Sequence, residues 1–357
     1  MVNQTRPDPD DSGDSGDSGG PDASSGGPLR RRSVRIVAAV VVLALIGVGV
    51  YLGVSHRSGS TAPPATLPTP TPSPSVPLVN PLTGIGAAGR VLAVKIDNVG
   101  AAQYEQAGLN SADLVYVIQV EGGLSRYLAV FDSDHAPATV GPVRSARQTD
   151  IPLLAAFGRV GLAYSGAISG LLPDLAAADL QNITPADASA LFSNGGSDPT
   201  YITPADVFAA YPNLAPAQDV GFRFGATPPG GQPAASVSVS MPSAAFTFTA
   251  AANQWLVTVD GHPATTTDQG RATADNVIVQ HVQIVPGKYT DHNAGHPDNE
   301  IVSETTGAGP ADFYRDGQVW HGQWSKPTDT SATDYTVGGV PMLLTPGRTW
   351  IVLDGTS

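Results

Sequence analysis

The chain has 357 residues, of which 41% are hydrophobic and only 14% are charged, so it can bury a sizeable core and each cluster of charges is informative. It contains no cysteine, which excludes disulfides, iron–sulfur clusters, a thiol nucleophile and cysteine-ligated zinc. The net charge is −13, and because residues 1–57 hold six Arg and six Asp, the whole excess falls on the remainder. Such a surface repels nucleic-acid phosphates, so we expect no nucleic-acid partner.

The N-terminal part has the pattern of a membrane anchor. Residues 1–29 have almost no large apolar side chains, and we interpret them as a disordered cytoplasmic tail. Four arginines between positions 30 and 35 then precede Ile36–Val54, which carries no charge and is about as long as a bilayer core is thick. Since cationic flanks stay in the cytoplasm, we predict a single-pass signal anchor over residues 30–56 in the cell membrane, with the N-terminus inside. Cleavage as a signal peptide, after the weak site Gly53-Val54-Ser55, is the alternative.

A linker rich in Pro, Thr and Ser follows at residues 57–79. Its seven prolines alternate with threonine and serine, which favours an extended polyproline-like stalk. Such a stalk would lift the folded part away from the membrane, so that all of it lies outside the cytoplasm.

Residues 80–232 are predicted to form a mixed α/β domain. Apolar runs predict strands at Val91–Ile96, Leu114–Val120 and Arg126–Phe131, and the last of these is apolar on both faces, as is typical of a strand covered on both sides. We predict a short helix at Ile151–Phe157 and another strand at Val160–Tyr164. Residues 167–215 are predicted to form short helices joined by turns.

The second predicted domain, residues 233–357, is smaller and β-rich. Pro228–Pro233 is the best internal boundary because its prolines and glycines interrupt regular structure. Beyond it, Asp260-Gly261 and Asp316-Gly317 each lie between alternating strand-like runs, which is a strong hairpin signal. The predicted fold class is therefore α+β, a mixed α/β domain followed by a β-rich domain, preceded by a transmembrane helix and a Pro-rich stalk.

The residues that could carry chemistry are concentrated between positions 95 and 150. Polar side chains there lie at the ends of apolar strands, where sheets often present ligand-binding groups. Arg144 and Arg147 could bind a phosphate or carboxylate, or they could form a buried structural network with nearby carboxylates. The predicted ligand-binding residues are Asp97, Asn98, Glu121, Gly122, Gly123, Arg126, Gly141, Arg144, Ser145 and Arg147.

Neither a cofactor nor a metal site is predicted. His292 and His296 are four residues apart, which suits zinc only on a helix, and the Gly, Pro and Asn around them indicate an exposed hairpin connection. The chain has no Gly-x-Ser-x-Gly nucleophile motif and no Gly-rich phosphate loop after a strand, so catalysis is not favoured. Asp97 and Glu121 could still form an acid–base pair acting on a glycan.

Several motifs carry a resemblance to a known family. KIDN (Lys95–Asn98), EGGLSRYLAVF (Glu121–Phe131) and GPVRSAR (Gly141–Arg147) resemble the YerB-like family of bacterial envelope lipoproteins. GQVWHGQWSK (Gly317–Lys326) and PGRTWIVL (Pro346–Leu353) are similar to the C-terminal domain of that family. The resemblance spans residues 80–354 and implies a two-domain extracytoplasmic protein of unassigned activity. Because this chain has no cysteine to carry a lipid, its predicted transmembrane helix would replace the lipid anchor.

Three functions remain open on this basis. The first is binding or scaffolding of a wall polymer or an envelope protein through the Arg-containing motif. The second is an envelope enzyme acting on a glycan or on a phosphate-linked polymer, and the third is a purely architectural module.

Overall fold

The computed structural model describes residues 79–194, 200–291 and 298–355, all of which belong to one compact unit, Pro74–Ser357. The predicted tail, the predicted anchor and all but the last residue of the predicted linker lie outside the described residues. Within the described ranges, no helix is long and apolar enough to cross a membrane.

The described chain consists mainly of β-strands. Its earlier strands are β1 (Val91–Asp97), β2 (Leu114–Gln119), β3 (Ser125–Asp132), β4 (Gly161–Ala163), β5 (Gln181–Ile183), β6 (Phe192–Ser193), β7 (Tyr201–Ile202), β8 (Arg223–Phe224) and β9 (Gln232–Pro233). Its later strands are β10 (Ser236–Met241), β11 (Ala244–Ala251), β12 (Gln254–Val259), β13 (His262–Pro263), β14 (Thr265–Thr266), β15 (Gly270–Arg271), β16 (Thr273–Ala274), β17 (Asn276–Val282), β18 (Ile284–Asp291), β19 (Asp298–Ser303), β20 (Gly307–Arg315), β21 (Gln318–Lys326), β22 (Asp334–Val337), β23 (Val340–Pro341), β24 (Leu343–Leu344) and β25 (Thr349–Gly355).

The helices of the described chain are short and all of them precede Tyr211. The α-helices are α1 (Asp150–Leu154), α2 (Leu172–Ala177) and α3 (Pro204–Ala210). The 3-10 helices are Gly100–Tyr104, Leu109–Ser111, Glu121–Gly123, Ala155–Phe157, Ser169–Leu171 and Ser189–Leu191. Proline lies at the start of both α2 and α3, where its missing N–H would have no partner in the helix anyway. The predicted strands corresponding to β1, β2 and β3 are confirmed to within a residue or two, and α1 with the 3-10 helix after it covers the predicted helix.

One large twelve-stranded sheet organises the molecule. Its strand order is β23-β22-β21-β20-β17-β25-β2-β3-β1-β4-β5, and β9 pairs with β21 at one end. A second sheet, in the order β10-β11-β12-β13 with β16 on β12, packs against one face of it. The other face is covered by α1, α2 and the segments around them.

Both faces of the large sheet are therefore buried, as the apolar pattern of β3 predicts. Every residue of β1 and β3 is buried. Towards the second sheet, Tyr127 packs edge-on against Trp350 and Phe246, with ring centroids 5.4 Å and 6.2 Å away. Towards the helices, Leu128 and Val130 contribute to the opposite core. Successive residues of each strand thus serve different cores, which follows from the two-residue period of a strand.

The two predicted Asp-Gly hairpins are confirmed. Asp260 and Gly261 have φ angles of 50° and 79°, and Asp316 and Gly317 have φ angles of 49° and 68°. Positive φ at both central residues is the requirement of the tight turn whose twist matches the strands on either side. These turns connect β12 to β13 and β20 to β21.

The two predicted domains share the large sheet. The last described strand, β25, runs parallel to β17 on one side and parallel to β2 on the other. β2 belongs to the first half of the chain and β17 to the second, so β25 joins the halves by backbone hydrogen bonds. The described chain is thus a mixed α/β structure with a strand-rich C-terminal part, whose two halves are continuous in one sheet.

Candidate functional site

The candidate site begins where β1 ends and β3 starts. Asp97 and Arg126 are direct cross-strand partners, and their side chains lie on the face of the sheet that is covered by α1. Arg126 Nη1 is 3.0 Å from Asp97 Oδ1, close enough for an ion pair although the two groups are not aligned as a hydrogen bond. Burial lowers the pKa of Arg126, and the charge of Asp97 opposes this effect. The buried carboxylate of Asp97 therefore stabilises the charged form of Arg126.

The GPVRSAR segment brings a second arginine to the same carboxylate. Val143 bridges to Ile96 of β1, and the N–H of Arg144 donates to the carbonyl of Lys95 over 2.9 Å. This added length of strand carries Arg144 Nε to within 3.1 Å of Asp97 Oδ2. The Arg144 side chain is 43% exposed whereas that of Asp97 is 5% exposed, so the arginine end of this ion pair lies at the surface and the carboxylate end is buried.

Arg147 forms a tighter ion pair with Glu121. Its Nε lies 2.8 Å and 2.9 Å from the two carboxylate oxygens, and its Nη2 lies 2.7 Å from Oε2. Glu121 begins the 3-10 turn Glu121–Gly123 that follows β2, which places it opposite the GPVRSAR segment. With both side chains mostly buried, this two-pronged geometry fixes the segment to the end of β2.

A fully buried lysine–aspartate pair lies beneath these arginines. Lys95 Nζ is 2.8 Å from Asp150 Oδ1, and neither side chain is exposed. Burial lowers the pKa of Lys95, and Asp150 works against that shift. Asp150 Oδ2 also accepts the N–H of Arg147 over 2.8 Å, so one carboxylate ties the start of α1 to both β1 and the motif segment.

The second half of the chain contributes Glu300 to the same cluster. It lies on β19, which pairs with β18 to form a hairpin over the motif segment, and its Oε1 accepts the N–H of Gln148 over 2.7 Å. The Ser303 N–H donates to Thr149 Oγ1 over 3.0 Å and fastens the same hairpin. Burial raises the pKa of Glu300 to about 7, an effect that Arg147 opposes and that Glu121 and Asp150 reinforce.

The cluster has hydrogen-bonding capacity left over. Asp97 Oδ1, Arg126 Nε and Glu300 Oε2 are buried and have no hydrogen-bond partner among the described residues. Buried polar atoms are normally paired, and ordered water, an ion or a bound molecule can supply the missing partners. The cations of the cluster are Lys95, Arg126, Arg144 and Arg147, against the carboxylates Asp97, Glu121 and Asp150 and the neighbouring Glu300.

Comparison with known proteins places the chain in a family. Residues 82–220 match the N-terminal domain, and residues 235–351 the C-terminal domain, of a family described as a protein of unknown function (DUF3048). The chain belongs to this family. The resemblance predicted from the motifs is confirmed by a Bacillus subtilis (strain 168) relative named "Putative lipoprotein YerB", which is 38% identical over 94 residues. That match covers 25% of this chain and 28% of the relative.

A solved structure supports the fold. The crystal structure of the YerB protein from Bacillus subtilis has a TM-score of 0.62 to this chain, at 21% identity, and the match covers 76% of this chain and 95% of that one. In terms of the DUF3048 regions, Asp97, Arg126, Arg144 and Arg147 come from the N-terminal region and Glu300 comes from the C-terminal region. The cluster therefore lies at the junction of the two.

The structure brings together five of the ten predicted ligand-binding residues, namely Asp97, Glu121, Arg126, Arg144 and Arg147. Ser145 is half-buried on the same segment. Asn98 lies elsewhere: it donates to Ser125 Oγ over 2.7 Å, on the face covered by the second sheet, because side chains alternate along the strand.

The three predicted glycines have backbone roles. Gly122 is exposed at the tip of the turn after β2, whereas Gly123 packs on Pro242 in the connection between β10 and β11. Gly141 packs against the ring of Tyr201 and bridges to Ala107, away from the arginines.

Sequence reasoning does not single out Glu300. It lies among ordinary strand residues, and its contact with Gln148 spans 152 positions, so no local pattern could reveal it. The predicted histidines of the hairpin connection, His292 and His296, lie outside the described residues. In the described part of the chain, no three His, Asp or Glu side chains are arranged to hold a metal ion.

Proposed function

We propose that the chain is an extracytoplasmic, membrane-anchored protein of the cell envelope that binds anionic groups of a wall polymer or of a partner protein through the Arg144 surface. The observation that carries this proposal is Arg144 itself, whose exposed guanidinium is held by a buried carboxylate. The cluster gathers four of the eighteen lysine and arginine residues of a chain whose net charge is −13.

The envelope location rests on two supports. The uncharged stretch Ile36–Val54, preceded by arginines, has the length and flanks of a signal anchor. The Bacillus subtilis relative is named "Putative lipoprotein YerB", and lipoproteins are held at a membrane by their lipid. Either form of attachment would place the folded part beside the cell wall.

The chemistry of the site favours phosphate or carboxylate as the bound group. A guanidinium matches the planar geometry of carboxylates and phosphates and stays charged at every physiological pH. Arg144 presents such a group at the surface, and Arg126 adds positive charge behind it. Asp97 lies between the two arginines and orients both, which prepares the surface before the anion arrives.

The test is binding of the full-length chain to purified wall polymer, compared between wild type and Arg144→Gln. We expect the variant to bind roughly tenfold to a hundredfold more weakly, because a charge-assisted contact is worth roughly 1.5–3 kcal/mol. The matched control is Arg159→Gln, since Arg159 is also an exposed arginine in an ion pair, with Asp179 at 3.7 Å, but lies outside the cluster. The control should bind like the wild type.

A second candidate, an architectural role, is favoured by the ion pairing within the cluster. Asp97 contacts two arginines, and Glu121 is held by Arg147 at three atom pairs. If Arg144→Gln lowered the melting temperature and left polymer binding unchanged, the architectural role would replace the binding role. Asp97 and Glu121 both form ion pairs with arginines, and no contact of the site favours the enzyme alternative.

A further inference from the structure

We propose that the chain has a second binding site, a shallow pocket that takes the acetamido group of an N-acetylated amino sugar in a wall glycan. The pocket lies where the 3-10 helix Gly100–Tyr104 meets the hairpin between β12 and β13, and Asn98 forms part of its wall. It shares no residue with the Arg144 surface, so only the envelope location is taken from the proposed function.

Three side-chain amides form the polar part of the pocket, those of Asn98, Gln103 and Gln106. Gln106 Nε2 donates to the carbonyl of Asp97 over 2.8 Å and to Asn98 Oδ1 over 3.2 Å. Gln103 Nε2 donates to Asp260 Oδ2 over 2.8 Å. Because both glutamines use their N–H groups within the protein, it is their Oε1 atoms that remain for a ligand. The pocket therefore suits a ligand that brings N–H or O–H donors.

A buried hydroxyl without a hydrogen-bond partner lies beside this wall. Tyr127 is completely buried, and its Oη has no partner among the described residues. Burial raises the pKa of Tyr127 and the Asn98 side chain opposes that shift, so the hydroxyl is a neighbour of an amide that lines the pocket. A water molecule or the carbonyl oxygen of a ligand would supply the missing partner.

The rest of the lining is apolar and carries no carboxylate, lysine or arginine. Val259 and Ala264 are buried, whereas His262 and Pro263 are exposed at the rim. The enclosed volume is about 10 Å³, which is room for about one methyl-sized or water-sized group. Tyr104 is 57% exposed and adds an aromatic ring to the mouth of the pocket.

An acetamido group combines the features that this lining matches. Its methyl group fits the small apolar space, its N–H can donate to a glutamine oxygen, and it carries no charge. The sugar ring that bears it can pack its apolar face on Tyr104, since an aromatic side chain offers a large apolar surface together with a polar hydroxyl. A sugar without the acetyl group brings O–H donors but leaves the apolar space to water.

The experiment is saturation-transfer NMR of the full-length chain with a trimer of N-acetylglucosamine, compared with a glucose trimer that lacks the acetamido groups. We expect the acetyl methyls to receive the strongest saturation and the glucose trimer to bind about tenfold more weakly. Tyr104→Ala should weaken binding of the acetylated trimer by roughly threefold to tenfold. Ala264→Val fills the enclosed space and should remove the preference for the acetylated trimer. The matched control is Ile85→Ala, which removes a side chain of similar exposure, 55%, outside the pocket and should bind like wild type.

Each contrary outcome has a distinct meaning. If the two trimers bind equally well, the acetamido assignment is overturned. If neither trimer binds wild type at roughly 10 mM, the pocket holds water alone and the inference fails, while Arg144-dependent polymer binding is unaffected. If the acetylated trimer binds but Arg144→Gln leaves polymer binding unchanged, the anion-binding function fails and this second site stands.

Discussion

At the scale of single residues, the cluster is built on charges that are buried and paired. Lys95 and Asp150 are both inaccessible to solvent, in a chain where only 14% of residues are charged. Removing both charges from water is expensive, and their mutual attraction offsets that expense only while both are present. Asp150 also accepts the Arg147 N–H, so the pair holds the motif segment as well as the strand.

This pairing predicts a strongly non-additive mutational pattern. Lys95→Met should lower the free energy of unfolding by about 3–5 kcal/mol, because it leaves Asp150 charged and buried without its cation. Adding Asp150→Asn should recover much of the loss, since the amide oxygen can still accept the Arg147 N–H. Urea unfolding of both single variants and the double variant measures the coupling, and simple additivity would contradict a mutually dependent pair.

The sequence predicts some contacts of the cluster and does not reveal others. The ion pairs of Arg144 with Asp97 and of Arg147 with Glu121 realise the structural network that the sequence allows as one alternative. Asn98 follows Asp97 directly, yet strand alternation points it to the other core. Glu300 has no local signal at all, because its environment is created by elements far away in the chain.

At the scale of elements, the turn Glu121–Gly123 is fixed from the second sheet. The N–H of Ser243 donates to the carbonyl of Gly123 over 2.9 Å, and Ser243 Oγ donates to the carbonyl of Gly122 over 2.7 Å. The turn that places Glu121 is thus pinned by the connection between β10 and β11. Both glycines have positive φ, but only Gly123 lacks room for a side chain, since an added Cβ would lie 2.4 Å from Pro242 Cβ.

The two neighbouring glycines therefore make a matched pair of variants. Gly122→Ala should lower the free energy of unfolding by about 1–2 kcal/mol, the cost of a left-handed alanine, because its Cβ would meet nothing closer than 3.9 Å. Gly123→Ala adds a clash with Pro242 to the same backbone cost and should lower it by about 3 kcal/mol or more. Equal effects in thermal or urea unfolding would show that the turn is not pinned to the second sheet.

Local patterns predicted many elements because their causes are local. The apolar runs of β1 to β3 and the Asp-Gly turns of two hairpins are visible within a few residues. The pairing of β25 with β2 could not be predicted in this way, because the register of two strands more than two hundred residues apart depends on everything between them.

At the scale of the whole molecule, β25 makes the two halves interdependent. Trp350, Ile351, Val352 and Leu353 are all completely buried, and they contribute alternately to the two cores of the large sheet. Removing β25 would expose both cores and leave β2 and β17 without a neighbour on one side.

A truncation series tests this interdependence. A chain that ends after Pro346 should lose cooperative unfolding in both halves, because two cores lose their central strand. The matched control, a chain that ends after Gly355, keeps β25 and should show a single calorimetric transition. A cooperative transition of normal enthalpy in the shorter chain would show that the halves fold independently.

The late position of β25 in the sequence also affects folding during synthesis. β2, with the sequence LVYVIQ, leaves the ribosome long before β25. At a synthesis rate of about 5–20 residues per second, the interval between them is on the order of ten seconds or more. Throughout that time an apolar strand has one open side, which is the feature that seeds strand-to-strand aggregation between nascent chains. Shielding of β2 until β25 emerges would prevent such aggregation.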